Sequence, residues 1–464
     1  MSARRFEFGH DTADQILGVG DRFGNELYIH RRLAWLAGAL AIDAMLTDEH
    51  ECVREHVKGD RQTPARQAHH ELVVFELLAT LFVYAHVPYS KGDSMNIPNW
   101  PISGPREHEL LEEVLASDKW GGYHPIVARF EREFADFQQC RFGLAAMNGT
   151  VTLEMALEAL GIGRGDEVIV PAISFIATAT AVTRAGATPV FVDITSDTFN
   201  IDPESVREAI GPKTRAIIPV HFGGPMADMD ALLAIAHEHG IHVIEDAAHA
   251  HGSEWNGARA GSLGVFGSFS FQNGKVITAG EGGILLSNEE ALIDRAREIL
   301  DIGRRKGEGW FYHYTPGSNY RISAWQCAVL IAQLERLPEQ NCRRMRNTNA
   351  LREALAGVAG LHFQRVPDAA RVHTNYLLLG WVDSDRGAFH RNLTAAGYPC
   401  TPFYPHTLYN NPLYRERHNC RVMPCPNSEE RITDAFWIPH RALLGDEELT
   451  MGLASAIRTA AAAS

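Results

Sequence analysis

Long apolar runs are missing from this chain. The longest, Leu72 to Val87, is interrupted by Glu76 and His86 and falls short of the roughly 18–20 residues a membrane span requires, so it reads as a buried helix or a subunit contact. An excess of cations is missing too. With 43 Lys and Arg against 57 Asp and Glu, the formal net charge of −14 leaves no general footprint for a nucleic-acid backbone or an anionic membrane. Cysteine is sparse and unpatterned. Its seven copies, Cys52, Cys140, Cys327, Cys342, Cys400, Cys420 and Cys425, are odd in number and contain no Cys-x-x-Cys pair, which excludes a disulfide framework or a structural zinc site and fits a reducing cytoplasm. Arg4, Arg5, Glu7 and Asp11 are followed by no apolar stretch of the secretory kind, so no signal peptide is expected. Internal repeats are absent, and the alanine-rich end, Thr459 to Ser464, is the only biased stretch. What is left is a globular composition, 45% hydrophobic and 22% charged over 464 residues, with room for two to three domains at roughly 100–200 residues each.

The texture divides that length. Residues 1–95 read as an extra helical segment: Leu33, Leu36, Ala37, Leu40, Ala41 and Ala44 recur at helical spacing, and Thr63-Pro64 supplies a cap and a first-turn proline. Val87-Pro88 and Ser90 to Ser94 close it as a linker. The segment is rich in histidine, but His69 and His70 are adjacent and cannot both face one ion from a helix, and no His-x-x-x-His pair occurs, so no metal is assigned. From residue 96 to 334 short β-branched runs alternate with amphipathic helical patterns. The runs are Glu167–Pro171, Thr188–Asp193, Ala216–His221 and His242–Asp246, and the helical patterns include Thr152–Leu160 and Asp228–Glu238. Apolar strands alternating with helices predict an α/β fold with a mostly parallel sheet covered on both faces, and ligands of such sheets lie beyond the carboxyl ends of the strands. Residues 335–464 read as a smaller C-terminal α+β domain, with a long helix through Leu351 and Leu355 and strands near Val372 to Trp381.

The chemistry falls at the strand ends. Val243-Ile244-Glu245-Asp246 ends a strand in two carboxylates, and Asp246 serves there either as a helix cap or as a ligand group. Lys275 follows an aromatic strand, Phe269-Ser270-Phe271, and precedes the Gly-rich Thr278-Ala279-Gly280-Glu281-Gly282-Gly283. A lysine there is either a solvated surface charge or, partly desolvated, a Schiff-base nucleophile. A lysine amine and a carboxylate facing a pyridine nitrogen are the two groups that pyridoxal phosphate asks of a protein. Asn148-Gly149-Thr150 before a helix adds backbone N–H groups and a hydroxyl that suit a phosphate, although alone it is no more than a turn.

Taken in order, Asn148-Gly149-Thr150, Pro171 to Phe175, Val220-His221, Glu245 to Gly252, Phe269 to Gly283 and Gly317 to Arg321 resemble the DegT/DnrJ/EryC1/StrS family. The resemblance runs over about residues 96–464. Ser270-Phe-Gln-Asn-Gly-Lys275 and Asp246-Ala-Ala-His-Ala-His-Gly252 are most similar to the 3-amino-5-hydroxybenzoate synthases, and then to the scyllo-inosose aminotransferases. The resemblance implies a pyridoxal-phosphate enzyme of fold type I, with a mostly parallel seven-stranded sheet, working as a cytoplasmic homodimer in secondary metabolism such as antibiotic biosynthesis. Lys275 would bind the cofactor and shuttle a proton, and Asp246 would pair with the ring nitrogen. Phe175 would stack on the ring, its other reading being a core residue. Gly149, Thr150 and Ser270 would hold the phosphate, with Asn319 reaching it from the neighbouring subunit. His249 stands where many members carry glutamine against the phenolic oxygen. Arg321, Tyr404, His406 and His440 lie in segments that approach the substrate. The expected reaction moves an amino group from glutamine or glutamate to a keto-sugar, ketocyclitol or related cyclic ketone. The alternatives are a dehydrating, aromatising enzyme of the aminohydroxybenzoate type and a non-catalytic binding or regulatory protein that keeps the fold. Residues 1–95 have no counterpart in the family pattern.

Overall fold

The computed structural model describes residues 97–417 and 419–464, so the helical reading of residues 1–95, with Leu72 to Val87, lies outside the described residues. The main sheet is built from β1 (Phe142–Ala146), β2 (Glu167–Pro171), β3 (Thr188–Val192), β4 (Thr214–Ile217) and β5 (His242–Asp246). After a small hairpin of β6 (Glu254–Trp255) and β7 (Ala258–Arg259) come β8 (Phe266–Ser270) and β9 (Gly283–Ser287). A second sheet contains β10 (Leu361–Phe363), β11 (Leu377–Val382), β12 (Thr401–Pro402) and β14 (Ala435–Pro439), while β13 (Arg421–Val422) returns to the first.

The large sheet runs in the order β1-β9-β8-β5-β4-β2-β3-β13. Every pairing from β8 to β13 is parallel, and only β9 runs against its neighbours β8 and β1. These are the seven strands expected, plus the two-residue edge strand β13. Side chains that alternate along each strand enter two separate cores. Ile169, Val190, Val192, Ile217 and Val243 face one of them, and Val168, Val170, Phe191, Ala216 and Ile244 face the other. Burial on both faces is what makes these strands read as unbroken apolar runs.

The connecting helices begin where short polar side chains can accept from free N–H groups. Asn148 Oδ1 accepts from Val151 N at 3.0 Å ahead of the helix Gly149–Ala159, and Asp202 caps the helix Pro203–Ala209, whose first residue is proline. The helix Met229–His239 starts from Asp228 and stops at Gly240, which takes the left-handed conformation at φ 63°. The long helix expected from Glu335 begins earlier and spans Ala324–Ala354. Its start carries a capping box of Ser323 and Gln326, a pattern visible in the sequence.

The four-stranded antiparallel sheet, in the order β10-β11-β14-β12, packs with the helices Arg386–Ala395 and Glu447–Ala462 around Leu378, Val382, Phe389, Phe436 and Leu453. The C-terminal portion also reaches back to the large sheet. Besides the pairing of β13 with β3, Leu408 N–H donates to Ala172 O at 2.8 Å, and the N–H groups of Asn427 and Ser428 donate to the Asp193 carboxylate.

Candidate active site

Adjacent carboxylates at the end of β5 take opposite directions, because successive side chains in a strand point to opposite faces. Glu245 is fully buried and structural. It accepts N–H groups from Gly261, Leu263 and Gly264 at 2.6–2.9 Å, and the Nε2–H of His221 donates to it at 2.9 Å. His221 Nδ1 accepts from Ala227 N, which puts the ring proton on Nε2. Asp246 points the other way and is 6% exposed. Thr178 Oγ1 donates to its Oδ2 at 2.8 Å and Ala248 N–H to its Oδ1 at 3.3 Å. Burial raises its pKa, opposed by those two bonds and by the nearby charge of Lys275.

Lys275 lies in the loop between β8 and β9, within a tight turn in which its own N–H donates to Gln272 O at 2.8 Å. Its Nζ stands 4.6 Å from the ring centroid of Tyr376, over the aromatic face. Part of the side chain is exposed, yet desolvation of the ammonium lowers its pKa to about 8, against the raising effect of Asp246. An amine that is partly neutral near physiological pH can act as a nucleophile and can accept and return a proton.

Imidazoles line the same space. His249 packs against Tyr376 with ring centroids 4.4 Å apart, tilted by 36°, and accepts at Nδ1 from Gly223 N–H at 3.4 Å. The proton of the neutral ring therefore sits on Nε2. Burial, reinforced by the charge of Lys275, holds the His249 pKa well below its usual range. His251 is equally neutral, pushed down to about 3 chiefly by burial, and its Nε2–H donates to Ser270 O at 2.9 Å. Tyr404 is near enough to Asp246 for the carboxylate to add to burial in raising its phenol pKa.

A second part of the site forms where the helix Gly149–Ala159 meets β8. A Cβ on Gly149 would lie 2.8 Å from the Ser270 Cβ, and one on Gly283 would lie 2.4 Å from the Asn148 carbonyl carbon, so both positions need glycine for the backbones to approach. Thr150 occupies the first turn of that helix, whose N-terminus favours an anion.

The remaining candidates are more dispersed. Phe175 is 60% exposed at the end of β2 and lies outside the core. Asn319 is exposed and bridges to Asp301 across an isolated antiparallel pair. Arg321 turns its guanidinium to Asp301 at 2.5 Å and to the Tyr123 ring, so its charge is engaged there. His406 is part-buried near Tyr404, and His440 is buried against Trp100 and Tyr376. Three residues of the cluster were not singled out from the sequence: Tyr376, Thr178 and Trp100. Tyr376 follows an ordinary strand-entry stretch, Thr374-Asn375, and nothing local in the sequence marks it.

Among the described residues no group of three or more His, Cys, Asp or Glu side chains could hold a metal ion, and no helix is long and apolar enough to cross a membrane. The described cysteines, Cys140, Cys327, Cys342, Cys400, Cys420 and Cys425, are free thiols.

Known proteins resemble this chain over most of its length. A 3-amino-5-hydroxybenzoate synthase from Amycolatopsis mediterranei is 37% identical over 365 residues, covering 75% of this chain and 93% of the relative. An L-glutamine:2-deoxy-scyllo-inosose aminotransferase from Streptoalloteichus tenebrarius is 36% identical over 402 residues, covering 78% and 93%. A crystal structure of 3-amino-5-hydroxybenzoic acid synthase matches with a TM-score of 0.77 at 35% identity, covering 80% of this chain and all of that one. Residues 101–454 match the DegT/DnrJ/EryC1/StrS aminotransferase family, and with this site at the strand ends of this sheet the chain belongs to that family.

Proposed function

We propose that this aminotransferase binds pyridoxal phosphate and moves an amino group from glutamine or glutamate onto a ketocyclitol, keto-sugar or related cyclic ketone in antibiotic-type secondary metabolism. The observation that carries the reading is the pairing of a desolvated Lys275 with a buried Asp246 at the carboxyl end of the parallel strands. The residues present suit the cofactor. They offer an amine, a buried carboxylate for a ring nitrogen, an imidazole N–H on His249, and a helix N-terminus whose Gly149 leaves no room for a side chain beside Ser270. Relatives named as L-glutamine:scyllo-inosose aminotransferases support the donor and the acceptor class.

Pyridoxal phosphate, when bound, supplies a ring that accepts the electrons released as an amino acid loses its α-proton. Lys275 would contribute the amine that anchors the aldehyde, and its free amine would then serve as the base that accepts and returns a proton. Asp246, held by Thr178 and Ala248, would keep a proton on the ring nitrogen. His249 would donate Nε2–H to the phenolic oxygen, Phe175 would offer an aromatic face to the ring, and Gly149, Thr150 and Ser270 would hold the phosphate. Tyr404 and His406 approach the substrate. We place the activity in the cytoplasm, consistent with the free thiols among the described residues.

Purified protein with pyridoxal phosphate is expected to show the absorbance band of the lysine-bound cofactor, and L-glutamine should bleach it. A cyclic ketone such as scyllo-inosose should then restore the band, with the aminated product seen by mass spectrometry. A band that no amino donor bleaches would sink the transamination reading. The similarity to 3-amino-5-hydroxybenzoate synthases favours a second reading, dehydration to an aromatic amine. It predicts a product lighter by one water and absorbing in the ultraviolet.

A homodimer with a shared site belongs to the same proposal. Asn319 is exposed in the single chain and follows a segment with exposed aromatics, Trp310, Tyr312 and Phe311, the last 85% exposed. Asn319→Ala protein mixed and reassociated with Lys275→Ala protein is expected to regain up to about a quarter of wild-type turnover through hybrid dimers carrying one intact site. No gain over the unmixed variants would exclude sharing.

A further inference from the structure

The two carbonyl groups that immediately precede Lys275 are held by side chains from opposite ends of the described chain. Trp100 Nε1–H donates to Asn273 O at 3.0 Å, and His440 Nε2–H donates to Gly274 O at 3.2 Å. The two donors also brace each other: their rings meet edge to face, 4.6 Å between centroids at 89°. Inside the turn, Gly274 N–H donates to Gln272 Oε1 and Lys275 N–H to Gln272 O, both at 2.8 Å. The turn thus satisfies the N–H groups of Gly274 and Lys275 from within and leaves the carbonyls of Asn273 and Gly274 to Trp100 and His440.

The far side of His440 reinforces the geometry. It stacks on Tyr376 at 25° and 5.8 Å, and Tyr376 is the ring over which Lys275 Nζ stands. His440 is 3% exposed, and its partner is a carbonyl oxygen, so its ring proton lies on Nε2. Behind it lies Arg344, a fully buried guanidinium bound to Thr374 O and Asn341 Oδ1. Burial first, and then this cation, keep His440 neutral. A neutral ring fixes the donor without placing a second positive charge beside the lysine.

We propose that Trp100 and His440 are positioning residues that clamp the 272–275 turn and hold Lys275 Nζ over Tyr376 and toward Asp246. Trp100 thereby supports the lysine loop from the start of the described chain, and His440, expected from the sequence to touch substrate, acts through the same loop. The inference rests on Lys275 as the cofactor's anchor. Losing either donor lets the turn sample other positions in a site that tolerates roughly 0.5 Å of displacement.

The test uses the full chain as wild type, Trp100→Phe, His440→Leu and His440→Gln. Trp100→Phe keeps the aromatic packing and removes the donor, and His440→Gln keeps a donor without the ring. Two rates are read: growth of the bound-cofactor band after adding pyridoxal phosphate to cofactor-free protein, and trinitrobenzenesulfonate labelling of Lys275 in that cofactor-free protein, followed by mass spectrometry. Trp100→Phe and His440→Leu are expected to take up cofactor about tenfold more slowly and to label several-fold faster, with His440→Gln recovering much of both. Uptake and labelling equal to wild type in Trp100→Phe and His440→Leu would overturn the clamp, as would His440→Gln behaving like His440→Leu. If wild type itself forms no band, the anchor role of Lys275 fails. Labelling then still decides the clamp, and equal rates across the variants overturn it.

Discussion

Replacing Lys275 with alanine is expected to lower turnover by roughly 10⁴-fold or more and to abolish the bound-cofactor band, with no comparable loss of thermal stability. Two functions disappear together, the anchor and the base that moves the proton, and among the described residues no other amine is positioned over Tyr376 to replace them. Lys275→Arg should fare no better, because a guanidinium stays protonated and cannot attack an aldehyde. The same lysine sets a pH dependence. Burial lowers its pKa to about 8 while Asp246 pulls it upward. The ammonium therefore predominates below that value and the reactive amine above it. Cofactor uptake by cofactor-free wild-type protein should rise with pH through a midpoint near 8, read from the rate at which the band grows. Residual turnover in Lys275→Ala within tenfold of wild type would remove the lysine from the chemistry.

Asp246→Asn is expected to cost roughly 10³-fold in turnover while leaving much of the fold intact. Asparagine has nearly the same shape: its Oδ1 can still accept from Ala248 N–H, and its Nδ2 can donate to the Thr178 hydroxyl, which turns to accept, so the two groups that hold the carboxylate keep a partner. What it lacks is the negative charge that keeps a proton on a ring nitrogen. A second, independent sign follows from the electrostatics. Asp246 raises the Lys275 pKa, so neutralising it leaves burial unopposed, and the uptake midpoint should move below the wild-type value. Turnover falling with an unmoved midpoint would separate the two residues. An unmoved midpoint with turnover within tenfold of wild type would dismiss the pairing altogether.

Much of this architecture could be read from the order of residues because its strands are buried on both sides. Glu167–Pro171 and His242–Asp246 coincide with β2 and β5 to the residue, since nothing polar interrupts a strand packed between two cores. Asp246 and Lys275 stood out for a related reason: a charge that ends an apolar strand, or precedes a glycine-rich turn, has few structural duties. Glu245 shows where such reading stops. It is the neighbour and chemical equivalent of Asp246, and only the alternation of the strand sends one to a structural nest of N–H groups and the other to the site. Tyr376, Trp100 and Thr178 were invisible because they matter only through the partners that tertiary folding brings to them. Arg321 has the right chemistry for a substrate anion, but Asp301 is positioned to claim its charge. The long helix illustrates a signal overlooked, since Ser323 and Gln326 mark its start locally.

The two residues of β13 carry a consequence for biosynthesis. They close the outer edge of the large sheet beside β3, together with the hydrogen bonds that Asn427 and Ser428 send to Asp193. A ribosome delivers β3 long before residue 421, and until then β3 offers open N–H and C=O groups along a flank where another nascent chain could pair. Among the described residues, completion of the earliest-made layer thus waits on one of the last segments to emerge, and a transcript cut short before residue 421 would yield a sheet with a sticky margin.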